Sequence, residues 1–361
     1  MSTVVQVVQH LKPGGIETMA LDLANFCESD ETTLIVSLEG GLKTALGNWP
    51  RLQSISAKLI FLGKKPGLNL LLIIRLMRLF KRLKVKVVHT HHIGPLLYAG
   101  LAARLAGIDC LIHTEHDAWH LTNARRRNLQ RWVIRMTRPI LVADAESVAT
   151  SMQHFLKLKN LRVIRNGIDI ERFIPGDRTA ARQVLSLPQD VQLIGCSGRL
   201  ETVKGQKTLI YALADLPACV HLALAGTGST ENKLRRLSRT LKLSDRVHFL
   251  GHIDEMPGFY QALDIFCLPS LNEGFPLSPL EAQACNIPAA VTDVGGASET
   301  LCPYSGALIP PENAAAMAST LRNMLVPKER NLQRCPRDFI QKQGDIHLMA
   351  QAYARLRHTR A

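Results

Sequence analysis

The sequence predicts an α/β protein built from two doubly wound parallel sheets, each in a domain of its own. Apolar strand-like runs alternate with helical stretches through both halves of the chain, as in parallel sheets covered by helices. Turn residues cluster at 166–169 and again at 175–177, between the two series. The length of 361 residues exceeds what one hydrophobic core usually serves. We therefore expect domains at 1–170 and 171–339, followed by a terminal segment at 340–361.

The first series of elements begins with a valine-rich strand. Short apolar runs, many of them rich in β-branched residues, predict strands at 4–9, 33–38, 58–62, 85–90, 111–115 and 140–143. Longer stretches with apolar residues three and four positions apart predict helices at 17–27, 68–82, 96–106 and 123–136. This alternation favours parallel pairing of the strands.

The second series repeats the alternation after the turn-rich link. Strands are predicted at 192–197, 220–225, 247–250, 265–268 and 289–292. Helices are predicted at 205–214, 231–242, 256–262, 279–284 and 314–324. A last helix at 345–357 carries apolar residues on one face, namely Ile346, Met349, Tyr353 and Leu356.

The charge is strongly basic and unevenly distributed. The net charge is +14; residues 1–175 carry 24 Lys and Arg against 13 Asp and Glu (+11), and residues 176–361 carry 20 against 17 (+3). A basic first half predicts an anionic partner there: a phosphorylated substrate, an anionic lipid or nucleic acid. Nucleic acid ranks last, because aromatic residues make up only 5% of the chain and no helix-turn-helix, RRM or zinc-finger pattern is present.

Cysteine spacing and the first residues predict the compartment. The eight cysteines are scattered without a CxxC pair, which favours reduced cytosolic thiols over a disulfide framework or a zinc site. The segment 1–5 lacks a basic region followed by an apolar one, so we expect no signal peptide. A cytoplasmic protein is the expectation.

The segment most informative about function is 273–281, EGFPLSPLE, which places Glu273 and Glu281 eight residues apart. The apolar run 263–269 before it predicts a buried strand, and Ser278 and Glu281 have the spacing of a capping box, with a proline at the first helical position. Both carboxylates are therefore expected at the C-terminal edge of a parallel sheet, beside the positive end of a helix. Open α/β sheets bind phosphorylated ligands at such places. Helix capping alone would also explain Glu281.

Two loops with glycines predict an anion site. Gly14 and Gly15 join the first strand to the first helix and let the backbone approach a ligand, although a structural turn would explain them equally well. The segment 198–205, GRLETVKG, follows a buried strand. Its Arg199 offers a planar fork and its Lys204 a point charge, a combination that suits a diphosphate.

Together these motifs resemble the retaining GT-B glycosyltransferases of glycosyltransferase family 4, the glycosyl transferases group 1. The resemblance is strong over about 166–325 and patchy over 1–165. It implies two Rossmann-like domains that face each other across a cleft, with segment 340–361 crossing back onto the first domain. It also implies a nucleotide-sugar donor, for which UDP is the commonest nucleotide in the family. No metal or other cofactor is implied, because Arg199 and Lys204 would stabilise the departing diphosphate.

The resemblance gives each matching residue an expected role. Glu273 would bind the hydroxyls of the donor sugar, Glu281 would bind the ribose, and Glu299 in the GGASE segment would lie near the sugar. The remaining donor-binding positions would offer backbone groups to the base, phosphates and sugar: Gly14, Gly15, Ile253, Gly274, Phe275 and Leu277. Paired carboxylates also occur in glycosidases, but such an enzyme would not need the cationic motifs. We therefore assign Glu273 to positioning and electrostatics, and expect retention without a protein nucleophile.

Histidines cluster at the ends of two predicted strands. His116, followed by Asp117, matches the strand-end His-Asp of the family, which contacts the donor sugar. A second group, HTHH at 89–92, has a metal-like look, but a metal site usually adds a carboxylate or thiolate in fixed order. We expect no metal, with His89 packed inside the protein.

The acceptor side is less specific. Helix 68–82 and its extension to Lys84 carry Arg75, Arg78 and Arg82 on one face and apolar residues on the rest. The helix is too short and too charged to span a bilayer, so it either covers the sheet with a solvated basic edge, the alternative we favour, or lies on anionic lipid. A second basic stretch, at 125–135, follows His116. Together they support weak peripheral attachment to the inner face of the cell membrane and a lipid-linked saccharide acceptor.

We interpret the chain as a retaining glycosyltransferase that moves a sugar from a nucleotide donor to a saccharide or lipid-linked saccharide. Bacterial surface polysaccharide or lipopolysaccharide assembly is the setting typical of the family. Two alternatives stay open. A GT-B sugar-nucleotide epimerase would turn over its donor without an acceptor, and a basic scaffold would bind nucleic acid or membrane without chemistry.

Overall fold

The structure, a computed structural model, describes residues 2–27, 31–326 and 335–358. The chain divides into an N-terminal domain, residues 1–167 with 346–361, and a C-terminal domain, residues 168–345. The terminal helix Ile346–His358 belongs to the N-terminal domain, whereas a separate helix, Pro336–Gln343, belongs to the C-terminal one. The terminal segment, expected at 340–361, starts at 346 in the structure, because residues 340–343 complete a helix of the C-terminal domain. Residues 359–361 of that segment lie outside the described ones.

The N-terminal domain contains a sheet of seven parallel strands in the order β3-β2-β1-β4-β5-β6-β7. The strands are β1 Ser2–Val8, β2 Glu31–Ser37, β3 Leu59–Phe61, β4 Val85–His91, β5 Cys110–Glu115, β6 Ile140–Ala143 and β7 Arg162–Val163. The order reverses between β1 and β4, so the C-terminal ends of these two strands form a topological switch point.

Helices cover both faces of this sheet. They are Gly15–Asn25, Leu42–Asn48, Leu71–Arg82, Ala124–Thr137, Glu146–Leu156, Ile346–His358, a helix over 93–106 with a π-helical segment at Leu96–Gly100, and 3-10 turns at Pro50–Lys58 and Trp119–Thr122. Helix Leu71–Arg82 buries Leu72, Leu76 and Phe80 in one core, while its arginines stay exposed. This helix therefore covers the sheet, as predicted, and its basic edge is exposed. On the other face, Ile346, Met349 and Tyr353 pack with β-strand residues.

The C-terminal domain contains a second parallel sheet, of six strands in the order β10-β9-β8-β11-β12-β13. The strands are β8 Gln192–Ser197, β9 Val220–Ala225, β10 Val247–Gly251, β11 Ile265–Leu268, β12 Ala289–Thr292 and β13 Ala307–Ile309. Its helices are Arg178–Val184, Gln206–Ala214, Glu231–Thr240, Met256–Gln261, Ser278–Ala284, Ala314–Leu325 and Pro336–Gln343, with 3-10 turns at Thr202–Lys204 and Ala297–Thr300. The switch point lies between β8 and β11. The predicted α/β class with two doubly wound parallel sheets is confirmed.

Several short elements were not predicted. They are the helices Leu42–Asn48, Glu146–Leu156, Arg178–Val184 and Pro336–Gln343 and the edge strands β7 and β13. The turn-rich segment at 175–177 ends in Asp177, whose side chain accepts from the amides of Thr179 and Ala180 and so caps a helix. The aspartate that suggested a turn is thus a helix start.

Candidate active site

Two loops of the C-terminal domain meet at its switch point. Loop 198–205 follows β8 and loop 269–277 follows β11. The amide of Leu271 donates to the carbonyl of Val203 at 2.7 Å, which joins the loops directly. A third loop is attached by Gly296, whose amide donates to the carbonyl of Gly274 at 2.8 Å. Side chains from separate motifs are thereby held at the position where open α/β sheets bind ligands.

Glycine is required at two points of this junction. Gly205 has φ +66°, and a Cβ there would lie 2.0 Å from the carbonyl oxygen of Pro269. Gly295 has φ +54°, and a Cβ there would lie 1.8 Å from the carbonyl oxygen of Glu273. A side chain at either position would push backbone away from loop 269–277, so these glycines allow the close approach that positions Glu273.

Lys204 and Glu273 form an ion pair at the junction. The Lys204 Nζ donates to Glu273 Oε1 at 2.5 Å, and the Ser270 hydroxyl donates to the same oxygen at 2.6 Å. The Glu273 side chain is 8% exposed and that of Lys204 is 21% exposed. Both hydrogen bonds fall on Oε1, which leaves Oε2 for a further donor. Two residues that the sequence placed on different loops are therefore brought together.

Arg199 lies in the same loop as Lys204 but outside this pair. Its side chain is exposed and forms no ion pair within the described part of the chain. Its backbone is fixed, since its carbonyl accepts from the Gln206 side chain at 3.0 Å and the next amide, of Leu200, donates to Thr227. Gly228 packs so closely on Leu200 that a Cβ would lie 2.3 Å from its carbonyl oxygen. The backbone of Arg199 is thus held in place, and its exposed guanidinium is available to bind an anion.

Glu281 does not form the predicted capping box. Helix Ser278–Ala284 has Leu277 at the cap position and carries no side-chain cap hydrogen bond. The Glu281 Oε2 instead accepts a hydrogen bond from the Tyr260 hydroxyl at 2.5 Å. The capping-box prediction is wrong because Ser278 is already the first helical residue, one position too late to act as the cap.

The remaining donor-site candidates lie at the same edge of this sheet or next to it. Gly274, Phe275 and Leu277 are buried in the loop after β11, and Ile253 is half-buried in the loop after β10. Glu299 lies in the 3-10 turn Ala297–Thr300 after β12.

Gly14 and Gly15 lie in the N-terminal domain, at the start of helix Gly15–Asn25. The carboxylate of Glu17 folds back against this turn, so a Cβ on Gly14 would lie 2.4 Å from Glu17 Oε2. The other oxygen of Glu17 lies 3.1 Å from Nδ1 of His10. An anion approaching this turn would therefore meet a carboxylate.

His116 is buried at the C-terminal end of β5 in the N-terminal domain. Its Nδ1 lies 3.1 Å from Asp144 Oδ2, and its Nε2 lies 3.0 Å from His91 Nδ1. Burial lowers the pKa of His116 to about 3, an effect that the neighbouring His92 reinforces, so the ring is neutral. Both ring nitrogens are thus engaged within the domain.

A second group of imidazoles surrounds Glu115, the last residue of β5. Its Oε1 lies 2.9 Å from His92 Nδ1, and its Oε2 accepts from Gln130 at 2.5 Å. His120 bridges Gln130 and Asp117, at 2.7 and 3.2 Å. Burial opposes protonation of His120, but hydrogen bonds to Asp117 and Gln130 and the charge of Glu115 outweigh it and raise its pKa to about 9. This group therefore carries compensated charge at neutral pH.

His89 is fully buried, as predicted, and its Nε2 lies 2.7 Å from the hydroxyl of Thr114. Within residues 2–27, 31–326 and 335–358, no three His, Cys, Asp or Glu side chains are arranged to hold a metal ion.

Three polar residues at these sites had not been singled out in the sequence, namely Ser270, Tyr260 and Asp144, and Asn166 had been interpreted only as part of the turn at 166–169. Ser270 is close to Glu273 in the chain and could have been found by its spacing. Asp144 meets His116 only because β5 pairs with β6 in a register that places Glu115 beside Ala143, and Asn166 in turn donates to Asp144. That register leaves no local signal in the sequence.

Comparisons with known proteins agree with this division into two domains. The sequence model described as Glycosyltransferase Family 4 matches residues 13–172, and the model described as Glycosyl transferases group 1 matches residues 177–335.

Curated relatives and solved structures point the same way. The D-inositol 3-phosphate glycosyltransferase of Mycolicibacterium smegmatis is 31% identical over 270 residues, which cover 69% of this chain and 61% of that protein. The Escherichia coli UDP-Gal:alpha-D-GlcNAc-diphosphoundecaprenol alpha-1,3-galactosyltransferase is 29% identical, covering 62% of each chain. The chain therefore spans about three fifths of the length of these relatives. The crystal structure of Anabaena HepE in complex with UDP and glucose superposes with a TM-score of 0.85 at 21% identity, covering 99% of this chain and 100% of that one.

The two family models together account for most of the chain, and the structural neighbours share its two-sheet α/β architecture. The protein thus belongs to glycosyltransferase family 4, the glycosyl transferases group 1, and has the GT-B fold.

Proposed function

We propose that the protein transfers a sugar from a UDP-sugar to a saccharide or lipid-linked saccharide acceptor, with retention of the anomeric configuration. The observation that carries this proposal is the Lys204–Glu273 pair, set by two tightly joined loops at the switch point of the C-terminal domain. A cation and a carboxylate side by side suit a ligand in which a diphosphate is followed directly by a sugar.

Each residue of the pair would act on a different part of the donor. The ammonium of Lys204 and the exposed guanidinium of Arg199 would neutralise the charge that develops on the leaving diphosphate. Glu273 would accept from sugar hydroxyls through Oε2, because its Oε1 is already occupied by Lys204 and Ser270. Such preorganised charges need little rearrangement as the bond to the anomeric carbon breaks.

The other candidates have supporting roles in this proposal. Glu281, steadied by Tyr260, would accept from the ribose, and Ile253 would meet the base. Backbone groups of Gly274, Phe275 and Leu277 would line the sugar and phosphates, and Glu299 would lie near the sugar. In the N-terminal domain, His116 would contact the sugar and Gly14 and Gly15 would approach the donor. The mechanism would use no protein nucleophile, metal or other cofactor, since the leaving phosphate itself would take the acceptor proton.

The choice of donor and acceptor rests on the relatives. HepE was crystallised with UDP and glucose, and the name of the Escherichia coli relative specifies a UDP-sugar and a diphosphoundecaprenol-linked sugar. A lipopolysaccharide core mannosyltransferase of Rhizobium meliloti is 34% identical over 187 residues. These names support assembly of a bacterial surface glycan on a lipid-linked acceptor.

Exposed apolar residues support contact of the N-terminal domain with a membrane. Leu68 and Leu71 are 71% and 76% exposed just before and at the start of helix Leu71–Arg82, with Leu70 exposed between them. Residues 40–108 contain seven lysines and five arginines but no aspartate or glutamate. Exposed leucines within a purely basic segment suit the surface of an anionic bilayer.

A second surface of the same kind lies on helix Ala124–Thr137. It exposes Leu129, Trp132 and Met136 in one stripe, and the helix carries five arginines and no acid. Among the described residues, no helix combines the length and the apolar character needed to cross a bilayer. We therefore propose peripheral attachment to an anionic membrane on its cytoplasmic side.

A donor panel tests the proposed activity. Thermal unfolding would be followed with UDP, GDP and ADP and with their sugars, and release of UDP would then be measured with and without an acceptor extract. We expect the UDP compounds to raise the unfolding temperature, and Arg199→Ala to reduce UDP release about 100-fold without loss of fold. Product formed at the full rate without acceptor would indicate an epimerase or hydrolase. No stabilisation and no turnover with any donor would indicate a non-catalytic scaffold.

A further inference from the structure

A polar cluster of three side chains lies at the carboxyl ends of β1, β2 and β3 in the N-terminal domain. Gln9 comes after β1, Glu39 after β2 and Lys64 after β3. The Nε2 of Gln9 donates to Glu39 Oε1 at 2.5 Å, and the Nζ of Lys64 donates to the same oxygen at 3.3 Å. Because β1 is one of the two strands between which the strand order reverses, this Glu39 cluster begins at the switch point, where open α/β sheets bind ligands.

The backbone around the Glu39 cluster is held in place by hydrogen bonds. The amide of Glu39 donates to the carbonyl of Gln9 at 2.9 Å, so the chain stays paired beyond the last residues of β1 and β2. The amide of Lys64 donates to the carbonyl of Leu38 at 2.8 Å and extends the pairing of β2 with β3 in the same way. The segment after β4 packs against the cluster, since a Cβ on Gly94 would lie 2.4 Å from Gln9 Oε1. The three side chains are therefore preorganised.

The Glu39 cluster keeps hydrogen-bonding capacity for a ligand. The side chain of Glu39 is 32% exposed, whereas that of Lys64 is 6% exposed. Both donors of the cluster bond to Oε1 of Glu39, and neither Oε2 of Glu39 nor Oε1 of Gln9 accepts a hydrogen bond from any described residue. The Gln9 amide also keeps one N–H, because Glu39 takes only one of its two. Two acceptor oxygens and one donor thus remain.

The charge balance of the cluster favours an uncharged ligand with several hydroxyl groups. The ammonium of Lys64 neutralises the carboxylate of Glu39, and a phosphate approaching the cluster would meet the free carboxylate oxygen. A divalent cation would meet the ammonium and only one carboxylate, whereas hard cations take six or more oxygen ligands. A sugar hydroxyl both donates and accepts, so neighbouring hydroxyls can donate to Glu39 and Gln9 and accept from the Gln9 amide.

The switch point of the C-terminal domain has the same arrangement. Oε1 of Glu273 accepts from Lys204 and from the neutral donor Ser270, which leaves Oε2 for a ligand. Oε1 of Glu39 likewise accepts from a lysine, Lys64, and from a neutral amide. Each domain therefore carries one glutamate that is held through one oxygen and open at the other, at the carboxyl edge of a parallel sheet.

We propose that the Glu39 cluster is the subsite that recognises the acceptor sugar. Glu39 and Gln9 bind hydroxyl groups of that sugar, and Lys64 positions the carboxylate of Glu39 and neutralises its charge. This inference rests on the proposed function, in which the acceptor is a saccharide or carries one. Specificity follows from the two acceptor oxygens, because a sugar that lacks a hydroxyl at either position leaves a polar group of the protein without its partner.

Saturation-transfer NMR tests the subsite without turnover. The probes are the methyl α-glycosides of glucose, galactose, mannose and N-acetylglucosamine, added without a donor. We expect the wild type to transfer saturation to at least one of them, and Glu39→Gln to reduce that transfer about fivefold or more, because an N–H replaces the open acceptor oxygen. The new side chain can still accept from Gln9 and Lys64, and a thermal unfolding curve checks that the fold persists. No transfer to any probe in the wild type, or equal transfer in Glu39→Gln, would overturn the proposal.

Two further variants show where the probe binds. Arg51→Gln removes an ion pair of the same domain, to Asp22 at 2.8 Å, from the 3-10 turn Pro50–Lys58. It lies outside the loops of the Glu39 cluster and should leave saturation transfer unchanged. Glu273→Ala removes the carboxylate proposed for the donor sugar. A signal that is lost in Glu273→Ala but kept in Glu39→Gln would place the glycosides in the donor site and overturn the proposal.

Kinetics separate the subsite from the proposed function. With UDP-glucose as the donor and the best-bound glycoside as the acceptor, Glu39→Gln should raise KM for the glycoside about 10-fold or more and change KM for UDP-glucose less than about threefold. An equal rise in both KM values would overturn the assignment to the acceptor. If the wild type releases no UDP from any donor, the proposed function fails, while the NMR result still decides whether Glu39 binds a saccharide.

Discussion

The C-terminal and N-terminal domains organise charge in two different ways. At the switch point of the C-terminal domain, Lys204 and Glu273 form an ion pair between two joined loops, and the exposed Arg199 lies on the same loop as Lys204. In the N-terminal domain, buried imidazoles and carboxylates from several strands and loops compensate one another around Glu115 and His116. The first arrangement offers net charge to a ligand, whereas the second fixes where protons reside. The motifs of the first are local in sequence, and the contacts of the second depend on strand register.

The largest effect is expected from removing the carboxylate of the C-terminal site. Glu273→Ala should lower kcat for UDP release by about 100- to 1000-fold, because a preorganised charge next to the reacting sugar is lost. The measurement is steady-state UDP release together with a thermal unfolding curve. Glu201→Ala is the control, since Glu201 lies in the neighbouring loop but bonds to Ser229. Equal activity of the two variants would remove Glu273 from the site.

The free energy of unfolding of the N-terminal domain should decrease at alkaline pH, as His120 loses its proton. The folded-state pKa of His120 is raised to about 9, so its contribution is fully present below about 6.5 and is lost as the pH rises through 9. The free energy of unfolding should fall by about 3 kcal/mol at most. Because His120 is only partly buried, solvent screens its interactions and makes the expected loss smaller. All three tryptophans, Trp49, Trp119 and Trp132, lie in this domain, so urea unfolding followed by tryptophan fluorescence reports on it selectively.

The variant His120→Gln separates this effect from general alkaline destabilisation. It should be less stable than the wild type at pH 6 and should lose less stability between pH 6 and pH 9.5. The same pH dependence in wild type and variant would mean that the imidazoles around Glu115 do not hold compensated charge.

Membrane binding should depend on the apolar surface of the N-terminal domain. Replacing Leu68 and Leu71 with serine should weaken binding to vesicles of anionic lipid about 10-fold, because the burial of two exposed leucines is lost. Vesicle co-sedimentation at constant salt measures the effect. Val184→Ser provides the control, since Val184 is even more exposed, at 84%, but belongs to the C-terminal domain. Unchanged binding of the double variant would exclude this surface.

The smallest effect is expected from removal of metal ions. EDTA should leave UDP release unchanged, because Lys204 and Arg199 would do the work of a cation. Complete loss of activity in EDTA, restored by one divalent ion, would instead mean that Lys204 and Arg199 are not sufficient and that the reaction needs a metal ion.

The same contrast explains what could be predicted from the sequence. Strands β8, β9, β11 and β12 have the predicted ends, because buried parallel strands appear as uninterrupted apolar runs with turn residues beside them. The motifs after β8 and β11 then fall together because the carboxyl ends of neighbouring parallel strands share an edge. Lys204 and Glu273 could therefore be placed at one site, although their direct pairing could not.

The N-terminal domain was less predictable for physical reasons. Helix Glu146–Leu156 was missed although Val148, Met152 and Leu156 recur every four residues and are buried. The partners of His116 were missed for a deeper reason: His91 and Asp144 come from separate parts of the chain and meet through pairing of β4, β5 and β6. The predicted cleft between the domains stays a prediction.

Calorimetric titration of UDP into the wild type, Lys204→Ala and Glu273→Ala tests most directly whether the Lys204–Glu273 pair forms the diphosphate end of a donor site. UDP lacks the sugar, so of these two residues only Lys204 should favour its binding, while the carboxylate of Glu273 should oppose it. We expect Lys204→Ala to weaken UDP binding about 10- to 100-fold, as loss of a charged hydrogen bond does. Glu273→Ala should bind UDP as tightly as the wild type or several-fold more tightly, because Lys204 is released from its partner. Wild-type affinity in Lys204→Ala, or an equal loss in both variants, would contradict this assignment.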